Sequence, residues 1–172
     1  LTNVLLIERS FQNENEKKIL IISIVLAIME IIVYYLHEAT IVFKINYGVS
    51  IPQSIEYNYI LPGDGYADLP MYNQLVFRKQ FTQKHLSSFK KIDQNNKEKL
   101  IQLIEVYYNN LDCEGQVLFK ESFPPESINE NNYFFVKTTE KRLSILIYDE
   151  KNKTLHELST VSHQGFNINL DW

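Results

Sequence analysis

The chain of 172 residues is poor in the residues that most often carry chemistry or covalent reinforcement. Cys113 is its only cysteine, so no intrachain disulfide can form and the fold must be held by its core. Paired metal-binding thiols are excluded with it, and the four histidines (His37, His85, His156 and His163) form no H-E-x-x-H spacing. Isolated histidines in such a sequence read as surface residues. Only five glycines are present, and no G-x-G-x-x-G, Walker loop or G-x-S-x-G elbow occurs. Net basic charge is also missing. The formal charge is -4, and residues 37–172 carry 14 Lys/Arg against 17 Asp/Glu. A surface that neutralises phosphates needs clustered cations, so nucleic acid is not an expected partner. Nothing implies a cofactor or a metal.

What the chain does have is a long apolar run. Residues 19–36 read ILIISIVLAIMEIIVYYL, interrupted only by Ser23 and Glu30 among small or acidic side chains. As a helix rising 1.5 Å per residue the run would span roughly 27 Å, close to a hydrocarbon layer. Lys17 and Lys18 precede it, and Tyr34 and Tyr35 stand where an aromatic belt would sit. The run exceeds the apolar core of a cleavable signal, about 7 to 15 residues, and lacks an A-x-A-like site. The expectation is a single-pass cell-membrane protein. Residues 1–18 form a short cytoplasmic N-terminus, residues 19–36 the transmembrane helix, and residues 37–172 an extracytoplasmic domain. Glu30 would cost roughly 2.5 to 3.5 kcal/mol near mid-bilayer, which makes it a candidate intramembrane contact.

The downstream segment predicts an α+β fold: a mainly antiparallel β-sheet with two helices packed on one face. Ile41, Phe43, Ile45 and Tyr47 alternate with Val42, Lys44 and Asn46, a strand period. Ile55, Tyr57, Tyr59 and Leu61 repeat it, so the two stretches read as neighbouring antiparallel strands. Pro62, Gly63, Gly65 and Pro70 mark a loop. Thr82, with Phe81 before it and Leu86 inside, has hydrophobic-staple spacing for a short helix. Leu100, Leu103, Ile104, Tyr107, Tyr108 and Leu111 form one face of a longer helix over residues 96–111. Further strands are expected at 116–121, 133–138, 143–148, 154–161 and 166–172, with YDEKNKT as a hairpin turn.

If helices cover one sheet face, the other displays polar side chains to solvent. Lys44, Glu56, Asn58, Asn167 and Asn169 are therefore the candidate partner-binding residues. Cys113 in LDCEG lies between Asp112 and Glu114, which oppose a thiolate, and reads as a partly buried structural thiol. Asp64 and Asp68 in GDGYAD fall short of the oxygens that calcium needs and read as turn residues. No catalytic constellation emerges, so the chain is expected not to be an enzyme.

The stretches YGVSIP, LPGDGYADLPMYNQ, LDCEGQV and LIYDEKNKTLHEL, behind an uncleaved helix, resemble the TipC-like immunity proteins. These protect Gram-positive cells from antibacterial toxins secreted by the type VII system. The resemblance implies a membrane-tethered, non-enzymatic protein that binds and neutralises a secreted protein toxin outside the cytoplasm through a concave sheet face. The alternatives are an accessory or sensory subunit of a membrane assembly, suggested by Glu30, and an extracytoplasmic hydrolase.

Overall fold

A computed structural model of the chain describes residues 2–61, 63 and 69–161, and within the first helix the side chains of residues 14, 16–31 and 39–47. It divides into two units, Leu1–Ala39 and Thr40–Trp172.

The first unit is helical, the greater part of α1 (Thr2–Tyr47). Its apolar side chains lie on every side of the helix rather than along a stripe, and those described between Ile19 and Ile31 are exposed. Among the described residues, however, no helix is long and apolar enough to cross a membrane. The expected span at 19–36, with a cytoplasmic N-terminus and an extracytoplasmic domain, is therefore not supported. Glu14, Glu16, Lys17 and Lys18 stand directly before Ile19, and Glu30 breaks the apolar run that follows.

The second unit is α+β, as expected. After α1 come β1 (Glu56–Leu61), β2 (Met71–Val76), α2 (Gln83–Leu86), β3 (Lys90–Lys91), α3 (Gln94–Asn109) and α4 (Cys113–Ser122). A 3₁₀ turn (Pro125–Ser127) then leads into β4 (Tyr133–Thr138), β5 (Arg142–Asp149) and β6 (Thr154–Val161). The six strands form one antiparallel sheet ordered β1-β2-β6-β5-β4-β3. The β5–β6 hairpin at its centre turns through Lys153, which adopts a positive φ of 53°.

Helices α3 and α4 cover one face. Leu100, Leu103, Ile104 and Tyr107 of α3 join Phe119 and Phe123 over Tyr72, Phe134, Ile145, Ile147 and Leu158 of the strands. Asp93 starts α3: its carboxylate accepts from the backbone N–H of Asn95 and Asn96, and the Asn96 side chain accepts from the Asp93 N–H. This reciprocal cap satisfies donors that a helix end leaves open. Asp112 does the same for α4 by accepting from the Gly115 N–H.

The opposite face is covered by the end of α1 and the segments after it everywhere but along β1, rather than open throughout. Residues 41–47 are the last turns of α1 rather than a strand, and β1 pairs with β2 instead of with them. The apparent alternation there is a helical pair: Phe43 and Tyr47, four apart, have ring centroids 5.2 Å apart, with Phe43 buried while Lys44 and Ile45 are exposed. Val49 and Ile51 follow and are also buried. Farther along the same face Phe81 stacks on Tyr148 at 3.8 Å, and Phe89 lies against Phe135.

Other expectations change as well. Residues 116–121 lie in α4, not in a strand, while Met71–Val76, taken as part of a loop, is a central strand of the sheet. The strand expected at 166–172 and the GDGYAD aspartates fall outside the described residues.

Candidate functional site

Adjacent residues of β6 point to opposite faces, and each carries a buried polar group. Glu157, 2% exposed, lies on the face covered by the end of α1. Tyr47 donates its hydroxyl to Glu157 Oε1 at 2.5 Å, while Asn73 Nδ2 and the Tyr57 hydroxyl donate to Oε2 at 2.9 and 3.3 Å. Asn73 Nδ2 also reaches the Tyr57 oxygen at 3.0 Å. Burial raises the Glu157 pKa above its ordinary 4.5, and the bonds from Asn73, Tyr47 and Tyr57 oppose that rise. Burial, and then the nearby carboxylate, push the Tyr47 hydroxyl far up, so it remains a donor.

His156 faces the helices and is 1% exposed, which corrects its reading as a surface histidine. The Tyr72 hydroxyl donates to the Ser122 carbonyl at 3.1 Å and lies 2.9 Å from His156 Nδ1; Ser127 Oγ lies 3.3 Å from Nε2. Because Tyr72 has a single proton, this pattern assigns the neutral ring a proton on Nδ1, leaving Nε2 to accept from Ser127. Burial pulls the His156 pKa down to about 4, against a smaller upward pull from Asp149. The order Ser–His–Tyr has the form of a nucleophile, a base and an orienting group. Ser127 and His156 are nevertheless sealed, at 0% and 1% exposure, and the row ties the end of α4 and the 3₁₀ turn to the sheet.

The residues chosen from sequence do not form one surface. Lys44 is exposed on α1. Glu56 and Asn58 share the face occupied by α3 and α4, because they pair with Val76 and Gln74 in register with Tyr72. Asn58 Nδ2 donates to Glu56 Oε1 at 3.1 Å. Asn167 and Asn169 lie outside the described residues, and Glu30 is exposed in the first unit. Cys113 is exposed rather than partly buried, since it is the first residue of α4.

Sequence reasoning missed the aromatic surface of β1. Tyr57 and Tyr59 point away from α3 and α4, with rings 4.6 Å apart. Tyr59 is 67% exposed and Ile55, just before the strand, 59%. Their alternation was legible, but alternation alone does not say which face of an outer strand is covered. Concavities also mark the described surface. One of about 240 Å³ is lined mainly by Leu61, Leu69, Pro70 and Leu111. Another, about 130 Å³, is lined by Asn46, Tyr47, Lys137, Thr139, Arg142 and Ser144. Among the described residues, no group of His, Cys, Asp and Glu could hold a metal ion.

No protein-family model, curated protein or solved structure matches the chain.

Proposed function

We propose that the chain is a non-catalytic binding protein that neutralises a secreted antibacterial protein toxin. The observation that carries this reading is the exposed aromatic and aliphatic surface at β1, where Tyr59 and Ile55 are both more than half exposed. Tyrosines of this kind give a partner large contact area at small entropic cost and are enriched among residues that dominate binding energy. The buried ionisable groups support it in a second way. Glu157 and His156 engage neighbouring side chains in the interior, so they serve the fold. Co-expressing the full chain with toxins encoded in neighbouring genes tests the reading. Growth is restored for one of them if it holds, and it fails if none is neutralised.

A second reading, a subunit of a larger assembly, is favoured by the first unit. Ten large apolar side chains between Ile19 and Ile31 are 49% to 64% exposed. That much apolar surface in one contiguous stretch calls for a cover. Exchanging residues 19–31 for a polar helix would shift the native mass of the particle if this stretch joins an assembly, and would leave it unchanged otherwise.

A further inference from the structure

We infer that the concavity between the end of α1 and the β4–β5 turn is a binding site for a small oxyanion, a carboxylate or phosphate group. All six of its lining residues (Asn46, Tyr47, Lys137, Thr139, Arg142 and Ser144) carry side-chain hydrogen-bond donors, and none is acidic. Its volume of about 130 Å³ suits one such group with a water or two.

The donors are unequally committed. Tyr47 gives its proton to Glu157, and the Ser144 and Ser159 hydroxyls lie 3.1 Å apart. Thr139 Oγ1 accepts from the Arg142 N–H at 3.0 Å, and the Thr139 N–H donates to the Arg142 carbonyl, which fixes the turn. The Thr139 hydroxyl proton remains available, because Oγ1 acts there as an acceptor. Lys137 Nζ donates one bond to the Asn46 carbonyl at 2.5 Å. That bond offsets the negative end of α1 and pins the ammonium at the rim with two protons left. The Arg142 guanidinium makes no side-chain hydrogen bond or ion pair with the described residues, so its planar fork is open to a carboxylate or phosphate.

Among the described residues, neither nearby acid lines the recess. Glu140 belongs to the same turn but does not line the concavity, and Glu157 is buried under the Tyr47 hydroxyl. A mildly acidic chain thus presents two cations around one small polar recess. The simpler role, a lysine capping a helix end, explains Lys137. It does not explain Arg142, Thr139 and Asn46 around the same space. This inference stands apart from toxin neutralisation, since it requires no partner protein.

The test titrates the full chain with sodium acetate and, separately, with inorganic phosphate. Ionic strength is held constant with chloride, and backbone amide shifts are followed by NMR. Saturable shifts confined to residues 46–47 and 137–144 are expected for at least one anion. Tighter acetate binding points to a carboxylate as the natural ligand, tighter phosphate binding to a phosphate group. In Arg142→Gln the apparent affinity should fall at least tenfold with the thermal midpoint unchanged, and in Lys137→Gln/Arg142→Gln it should fall further. Shifts that stay linear for both anions, or saturation that survives in the double variant, would overturn the site.

Discussion

Tyr47 and Glu157, 110 residues apart in the chain, meet at 2.5 Å across the sheet face opposite α3 and α4. The bond joins the end of a helix that begins near the N-terminus to the middle of the last described strand. Glu157 is withdrawn from water, and Tyr47 supplies the donor to its Oε1.

Removing that donor should be costly. Tyr47→Phe leaves Oε1 of a buried carboxylate without its shortest bond, while Asn73 and Tyr57 still serve Oε2. A loss of about 1 to 3 kcal/mol is expected, the penalty for an unsatisfied buried group. Urea denaturation reads it as a lower midpoint with an unchanged slope.

Acid and alkali should act on neighbouring residues of β6 in opposite directions. His156 titrates near 4 when folded and near 6.5 when unfolded, so its stability is fully present above 6.5 and is lost as pH falls toward 4. The loss approaches about 3 kcal/mol over that window. Glu157 has a raised folded pKa, so its contribution is full below 4.5 and is lost as pH rises through that raised value. Measured from pH 4 to 9, stability should lose its acid-side slope in His156→Gln and part of its alkaline-side decline in Glu157→Gln. Unchanged slopes in both variants would refute the assignment.

The core and the caps give predictions of different size. Ile145, fully buried beneath α3 and α4, should cost about 2 to 5 kcal/mol when cut to alanine, through lost burial and the cavity left behind. Asp93→Ala removes the α3 cap and should cost about 0.5 to 2 kcal/mol. Denaturation midpoints of the two variants check the order.

Much of this architecture was legible because its patterns are local. The spacing from Leu100 to Leu111 locates α3 within a few residues, and the three C-terminal described strands appear where their apolar runs predict them. Elsewhere short patterns were ambiguous. Val117, Leu118 and Phe119 form a short apolar run that fits a buried strand as well as a helix. The Asp112 cap and the burial of Phe119 beside Tyr107 fix a helix there. Met71–Val76 was lost in a loop because Pro70 and the glycines before it dominate the local signal, although its partner β6 lies some 80 residues away. The expected membrane span is not supported, because among the described residues no helix is long and apolar enough to cross a membrane. The burial of His156 and Glu157 had no local signature, since it depends on two covering layers assembled from distant segments.

The β1 surface offers the most selective functional variant. Tyr59→Ala removes an exposed ring and should change stability by less than about 0.5 kcal/mol, as surface substitutions usually do. Circular dichroism melting checks that the fold is intact.

The proposed neutralisation by binding is tested most directly by the affinity of the purified full chain for any toxin whose effect on growth its co-expression relieves, measured for the native protein and for Tyr59→Ala. The account predicts a stoichiometric complex weakened at least thirtyfold by the substitution, about 2 kcal/mol, with unaltered melting. Protection without any measurable complex, or with turnover of the toxin by substoichiometric amounts of the chain, would contradict it.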